Sequence, residues 1–350
     1  MTMAKAYLSI DALARHAVLG HMDGRGRYLG DWRFRTCEAE LVKHVANIEA
    51  GKKYVAVEEG PLAYWIAQTL DEYVHEVTIS DPRANVSISR NPHKKDEADT
   101  YQLCRLLRLG ELKEVYHPQD DRHAVFKAAV QHYIDLRDQE VKLKVKIKAK
   151  YRGWGVPEVD GTLVYSERHR RDYLQQIDAP PIRHQLQRLY GLLDEALRAQ
   201  ESALKEVTGL GRSYPEIKEF EKIPGVGTKG AHIFDAYIQT PDRFATKQQV
   251  WRYAKLGITN RSSDNKPLGF KRLDRSGNAE LKAMSYWAWK GSLWKKDPDN
   301  EVRRFYQRSL SLTHNKVHAR LNTQRKILST MWGLWKRKES YRPELFCPSD

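Results

Sequence analysis

The chain has 350 residues, with 60 Lys and Arg against 45 Asp and Glu, a formal net charge of +15. With 41% hydrophobic and 30% charged residues it reads as a globular chain of two or three domains, which excludes a disordered or fibrous class. No apolar run approaches the roughly 18 residues of a membrane span, and residues 1–10 lack the apolar stretch of a secretory signal, so a cytoplasmic location is expected and a membrane is not an expected partner. Cys37, Cys104 and Cys347 lie far apart and form neither a disulfide framework nor a Cys-x-x-Cys metal knuckle. The 13 histidines show no ligand spacing, so no zinc site is expected. The charge is uneven: residues 301–350 hold eleven Lys and Arg against four Asp and Glu. An excess of this size points to a polyanion, nucleic acid first among them.

The first third alternates between strands and helices. Residues 4–10 and 17–22 read as strands. The turn Asp23-Gly24-Arg25-Gly26 leads into a third strand over 27–35, an Asp-Gly hairpin signal. Residues 37–50 have helical spacing, with Leu41, Val42, Val45 and Ile48 on one face. A short apolar strand over 53–57 follows. Pro61 opens a helix carrying Leu62, Trp65, Ile66 and Leu70. Residues 77–79 make a strand closed by Asp81-Pro82, and 96–109 a helix with Leu103, Leu106 and Leu107 inward. A three-strand meander, then helix, strand, helix, strand, helix, matches a ribonuclease-H-like α/β domain over residues 1–120.

A helical, coiled-coil-like region over 121–208 is expected next. Residues 122–150 and 179–207 are long and charged, and Ile182, Leu186, Leu189, Leu193 and Leu197 form a narrow seam. Two long helices joined by a turn-rich stretch suggest an antiparallel hairpin, although the seam is also a place where subunits of a homo-oligomer would meet. Lys142, Lys144, Lys146, Lys148 and Lys150 alternate with apolar residues, a strand-like period inside a helical context, and are read as helix. A mainly helical domain fills 209–350. In it Ile223-Pro224-Gly225-Val226-Gly227 opens a helix, and a polar loop is expected over 257–278 before helices running to about residue 338.

Four carboxylates stand out by position. Asp11 follows the first strand, Glu58 the strand 54–57, and Asp96 and Asp99 sit three apart on one face of a helix start. Glu59 competes with Glu58, which extends its strand directly. In a ribonuclease-H-like topology the first and fourth strands are neighbours and the last helix packs beside them, so the four acids converge. Oxygen-only ligands suit hard divalent cations such as Mg²⁺ near a phosphate. Taken singly, each acid has a structural reading as a strand end, a helix cap or a surface charge. The Ile-Pro-Gly-Val-Gly run resembles a helix-hairpin-helix turn. Gly225 and Gly227 would let the backbone approach a phosphate at a helix N-terminus, with Lys229 beside them. Ser262 and Ser263 lie in a polar loop with Arg261, Lys266, Lys271 and Arg272, cations suited to phosphate. The aromatic residues of the C-terminal helices read mostly as core, a few as platforms for bases.

These residues resemble the transposases of the insertion-sequence 110 family, which includes Piv-like DNA invertases. The resemblance rests on Ser9-Ile10-Asp11, Glu58-Glu59-Gly60-Pro61-Leu62-Ala63-Tyr64-Trp65, Lys95-Asp96-Glu97-Ala98-Asp99, Ile223-Pro224-Gly225-Val226-Gly227 and Arg261-Ser262-Ser263-Asp264. It implies a RuvC-like domain with the acid set Asp11, Glu58, Asp96 and Asp99 holding Mg²⁺, a coiled-coil insertion, and a C-terminal transposase domain. It further implies a serine nucleophile, best matched by Ser263 with Ser262 next, and a structured bridge RNA pairing with donor and target DNA. A homo-oligomer, dimer or tetramer, is also implied. The chain departs from the commoner Glu-Ala-Thr-Gly form at Glu58-Glu59-Gly60-Pro61, and its serine loop is less like the family pattern. Two other readings use the same residues: a Holliday-junction resolvase-like nuclease with water as nucleophile, and a non-catalytic nucleic-acid-binding protein.

Overall fold

A computed structural model describes residues 4–81, 96–116, 121–263, 266–294 and 299–347, and for 96–98, 121 and 259–271 it describes the backbone alone. The chain divides into two compact units, 1–119 and 120–350.

The first unit is built on β1 (Lys5–Ala12), β2 (His16–Asp23), β3 (Tyr28–Arg35), α1 (Glu38–Ala46), β4 (Lys52–Glu58), α2 (Ala63–Leu70), β5 (Glu76–Ser80) and α3 (Asp96–Leu109). Its five-stranded mixed sheet has the order β3-β2-β1-β4-β5. β1 is antiparallel to β2 and parallel to β4, and β4 is parallel to β5. At the β2–β3 turn the Asp23 carboxylate accepts from the backbone N–H groups of Arg25 and Arg27, both at 2.9 Å. Gly26 takes φ +89°, a conformation that costs glycine little. Strand alternation then sorts the two faces. Leu8, Ile10, Val55 and Val57 pack with Leu41 and Val45 of α1 and Ile66 and Leu70 of α2. The opposite face carries Ser9 and Ala56, and Ala56 packs against Leu103 of α3. α1 stops at Ala46, four residues short of the expected end. Asn47 caps it, its N–H donating to the Lys43 carbonyl.

The second unit contains α4 (Asp121–Gly153), α5 (Arg170–Gln175), α6 (Pro180–Gly211), α7 (Glu216–Glu221), α8 (Gly227–Ile238) and α9 (Lys247–Tyr253). After these come β6 (Ile258–Ser263), β7 (Lys266–Leu273), α10 (Ala279–Ser292), α11 (Glu301–Thr313), α12 (Lys316–Arg337) and α13 (Pro343–Phe346). α4 and α6 run antiparallel: Lys150 bonds Gln185 at one end, and Gln200 bonds Glu140 nearer the other. Leu186, Tyr190 and Leu193 are buried against Ile147 and Tyr151 of α4. The leucine seam is therefore covered from within the chain. The intervening stretch folds back onto the hairpin, where Arg170 grips both oxygens of Asp194 at 2.6 Å and lies over the Tyr190 ring. The alternating lysines are helical. Three of them are engaged inside the unit: Lys144 with Glu140, Lys148 with the Gly161 carbonyl, and Lys150 with Gln185.

The segment expected as a polar loop over 257–278 is instead mostly a β-hairpin. β6 and β7 pair only with each other, with a register irregularity between Asn260 and Ser262. β6 carries no apolar alternation, and β7 holds Pro267 and Gly269, residues that weaken a strand reading. The base of the hairpin is clamped. Arg325 of α12 donates to the Leu256 carbonyl at 2.8 Å, and the Asp274 N–H to the Gly257 carbonyl at 2.9 Å.

Candidate functional site

The acid positions are set by strand register. Ile10 of β1 pairs with Val57 of β4 in parallel. Asp11 and Glu58 are the next residue on each strand, so adjacent strands present them at the same level. Side chains two apart on a strand share a face. Asp11 therefore shares the face of Ser9, and Glu58 that of Ala56, which is the face that α3 covers. Glu58 is the last residue of β4 and pairs with Ser80 of β5. Glu59 lies beyond the strand, and its N–H donates to the Ser80 carbonyl at 3.0 Å. Glu58 thus lies inside the paired strand and Glu59 outside it.

α3 is held against that face at one well-defined point. The Ser9 hydroxyl donates to the Thr100 carbonyl at 2.9 Å, and the Cys104 thiol reaches the Ser9 oxygen at 3.3 Å. Thr100 is fully buried, and Asp99 precedes it directly. Asp96 begins the helix one turn earlier; its side chain lies outside the described residues, as does Lys95. Burial pushes the Cys104 thiol up to about 12, so the cysteine beside the acids is neither a thiolate ligand nor a nucleophile. Gly20 of β2 admits this packing. A Cβ there would stand 2.8 Å from the Ser9 oxygen and 2.9 Å from both Thr100 Cβ and the Tyr28 hydroxyl.

Asp11 and Glu58 bring carboxylate oxygens to one sheet face, a donor type whose chemistry fits a hard divalent cation. Among the described residues, however, no three His, Cys, Asp or Glu side chains are gathered as a ready metal cluster. Ser80 escaped the sequence reading. It pairs with Glu58, it is buried, and its hydroxyl has no hydrogen-bond partner among the described residues. Its position opposite Glu58 follows only from strand register, which the sequence leaves open.

In the second unit α7 and α8 enclose the Pro-Gly turn. Ile223 and Val226 anchor it in the core, while Gly225, Gly227 and Lys229 are exposed. The two glycines differ. Gly225 (φ +86°) lies on α10, where a Cβ would overlap the Ala288 carbonyl oxygen and approach the Ser292 nitrogen to 2.7 Å. Gly227 (φ +58°) has nothing within 4 Å of its Cβ direction. Close packing on α10 accounts for Gly225; open space at the start of α8 leaves Gly227 and Lys229 facing solvent. Lys229 also lies 5.8 Å over the Tyr133 ring.

Ser263 ends β6 and pairs with Lys266, the first residue of β7; Ser262 pairs with Pro267, and Asn260 with Lys271. The side chains of Arg261, Ser262, Ser263, Lys266 and Lys271 lie outside the described residues, as does Asp264 altogether. The backbone puts Ser263 and Lys266 at the tip of the hairpin. Arg272 is exposed near its base. Two cations of the basic C-terminal segment, Arg325 and Lys326, are half-buried. Arg325 bonds the Leu256 carbonyl and the Asn322 side chain, Lys326 the Leu345 carbonyl, and burial lowers the pKa of both.

An acid pair joins α7 and α8, Glu216 half-buried on the first and Asp235 buried on the second. Asp235 is fully buried, with His123 of α4 at 3.4 Å. Burial pushes the Asp235 carboxyl above the usual carboxylate range, partly offset by His123. Burial and the nearby Asp235 push Glu216 up to about 7.

No curated protein matches the chain. Residues 217–307 match the family model described as Transposase IS116/IS110/IS902 family, a stretch that holds the Pro-Gly turn, the serine hairpin and α10. The similarity to insertion-sequence 110 transposases, first read from short motifs, is thus shown over this segment, which is similar to the IS116/IS110/IS902 transposase family.

Proposed function

We propose that the protein is a DNA recombinase that cleaves and rejoins the ends of a mobile element and its target, with a ribonuclease-H-like first unit and a serine nucleophile in the second. The observation that carries the acid half is the shared level and shared face of Asp11 and Glu58 on adjacent parallel strands, beneath the helix that bears Asp96 and Asp99. The family match supports the DNA-processing half.

Asp11, Glu58, Asp96 and Asp99 would hold Mg²⁺, which when bound supplies positive charge to a phosphate under attack. The Ser263 hydroxyl would attack a DNA phosphate. A serine–phosphate ester forms, one phosphodiester P–O bond breaks, and the departing deoxyribose oxygen takes up a proton in place of the one the serine loses. In the second step a deoxyribose hydroxyl from another strand attacks the phosphoserine and the serine is regenerated. Ester is exchanged for ester, so no nucleotide triphosphate is consumed. A structured RNA would supply target choice by base pairing; this part rests on the family resemblance, and the net charge of +15 suits a second polyanion. The test is a plasmid recombination assay with Mg²⁺ and the element's flanking RNA. Wild type should recombine, and Asp11→Ala and Asp99→Ala should not, with nucleic-acid binding within about threefold of wild type. Full activity in both variants would overturn the reading.

A further inference from the structure

The C-terminal tryptophans divide into two kinds. Trp251 donates its indole N–H to the Ser329 hydroxyl at 2.7 Å, Trp332 donates to the Pro241 carbonyl at 2.9 Å, and Trp335 packs against Phe220 and Phe234. Trp287 and Trp294 are instead 60% and 69% exposed. Trp287 lies in the second half of α10, and Trp294 lies two residues beyond its end, where its backbone N–H closes a turn to the Gly291 carbonyl at 3.2 Å. Lys290 lies between them, 5.0 Å over the Trp287 ring. Trp294 is followed in the sequence by Lys295 and Lys296.

α10 also meets the Pro-Gly turn, through Ala288, Gly291 and Ser292. A Cβ at Gly291 would stand 3.4 Å from both the Cα and the carbonyl oxygen of Gly225. The C-terminal end of α10 and the Pro-Gly turn are therefore packed together, and this surface exposes two large aromatic side chains with Lys290 between them in the chain.

We infer that this surface, Trp287, Lys290 and Trp294 with Gly227 and Lys229, binds unpaired nucleotides, the two indoles stacking on bases and the lysines holding the intervening phosphates. The inference deepens the proposed function and rests on its premise that the second unit handles nucleic acid. Flat aromatic faces are of little use to a duplex, whose bases are already stacked, but they suit bases that have been exposed. Positive charge at this spacing favours a phosphate backbone over an apolar or cationic protein partner.

The experiment is fluorescence anisotropy of the full chain with labelled single-stranded DNA, single-stranded RNA and the matching duplexes at fixed salt. Each of Trp287→Ala and Trp294→Ala should weaken binding to an unpaired strand by about 10–100-fold, with duplex affinity within about threefold of wild type. Trp287→Phe and Trp294→Phe, which keep a stacking face, should recover most of the loss. A greater loss on the RNA arm would assign the site to RNA, and a greater loss on the DNA arm to DNA; either result supports the site. Equal losses on strand and duplex, or no loss on either strand, would overturn it. Recombination by Asp11→Ala is a separate readout, so the proposed function can fail while the stacking site stands, and the reverse.

Discussion

The Ser9 hydroxyl donates to the Thr100 carbonyl across the β1–α3 interface at 2.9 Å. Asp11 lies two residues beyond the donor, and Asp99 one residue before the acceptor. The bond therefore fixes the helix that bears one acid pair against the strand that bears another acid, and it does so from a buried position. Side chains on a candidate site hold their geometry only when the elements beneath them are fixed in this way.

Gly20→Ala tests that fixation directly. The added methyl meets Ser9, Thr100 and Tyr28 at 2.8–2.9 Å, so α3 must shift outward. Overpacking of this kind costs about 1–3 kcal/mol. Urea denaturation should show the loss, and recombination should fall by more than DNA binding does, although every acid is present. Unchanged stability and activity would mean that the close approach is not required.

Gly225 and Gly227 should respond differently to alanine. Gly225→Ala drives a methyl into the Ala288 carbonyl of α10 and should cost about 3 kcal/mol or more. Gly227→Ala meets open space and carries only the left-handed backbone penalty of about 1 kcal/mol. Denaturation midpoints of the two variants would show the ranking, and similar values would contradict the packing assigned to Gly225.

Glu216 and Asp235 predict how the second unit responds to pH. Both carboxyls have folded pKa values above the ordinary one, Glu216 at about 7. A raised folded pKa gives stability that is full below the unfolded value and lost as pH rises through the folded one. Stability should fall between about pH 4.5 and 7, by about 1–2 kcal/mol once partial exposure of Glu216 is allowed for. Glu216→Gln should flatten that slope. A variant as pH-sensitive as wild type over this window would contradict the assignment.

Salt dependence tests whether the charge meets phosphate. Six to ten contacts weaken binding by about 10³–10⁵ between 50 and 200 mM salt. Arg303 and Lys316 are better candidates for these contacts than Arg325 and Lys326, whose head groups are bonded within the fold, or Arg304, which Asp299 holds. Arg303→Ala should reduce the slope of log affinity against log salt by about one, whereas a flat titration of the wild type would make the charge a matter of solubility.

What the sequence showed and what it hid follow from the range of the interactions. β1, β5 and α3 were readable because their apolar periods are local, and α3 begins at Asp96 as its spacing predicts. The long lysine-rich helix was legible from its flanks, since alternation alone argued for a strand. The β6–β7 hairpin was not, because β6 is polar, β7 carries Pro267 and Gly269, and the ladder is made by backbone groups common to every sequence. Nor was the difference between Gly225 and Gly227, which depends on α10, more than fifty residues away in the chain. The acid positions were legible one by one, but their common level required the register of Ile10 with Val57. Ser80 and the exposed pair Trp287 and Trp294 were hidden for the same reason: sequence reports residue type, and only packing decides which tryptophans are covered.

In the proposed reaction a serine at the hairpin tip carries the DNA. The most direct measurement traps the reaction on a DNA substrate that cannot complete exchange, digests the protein and maps the phosphate adduct by mass spectrometry. The account predicts an adduct on Ser263, with Ser262 the sole alternative, and its loss in Ser263→Ala with binding retained. Strand cleavage with no adduct on either serine would contradict the account and make water the nucleophile.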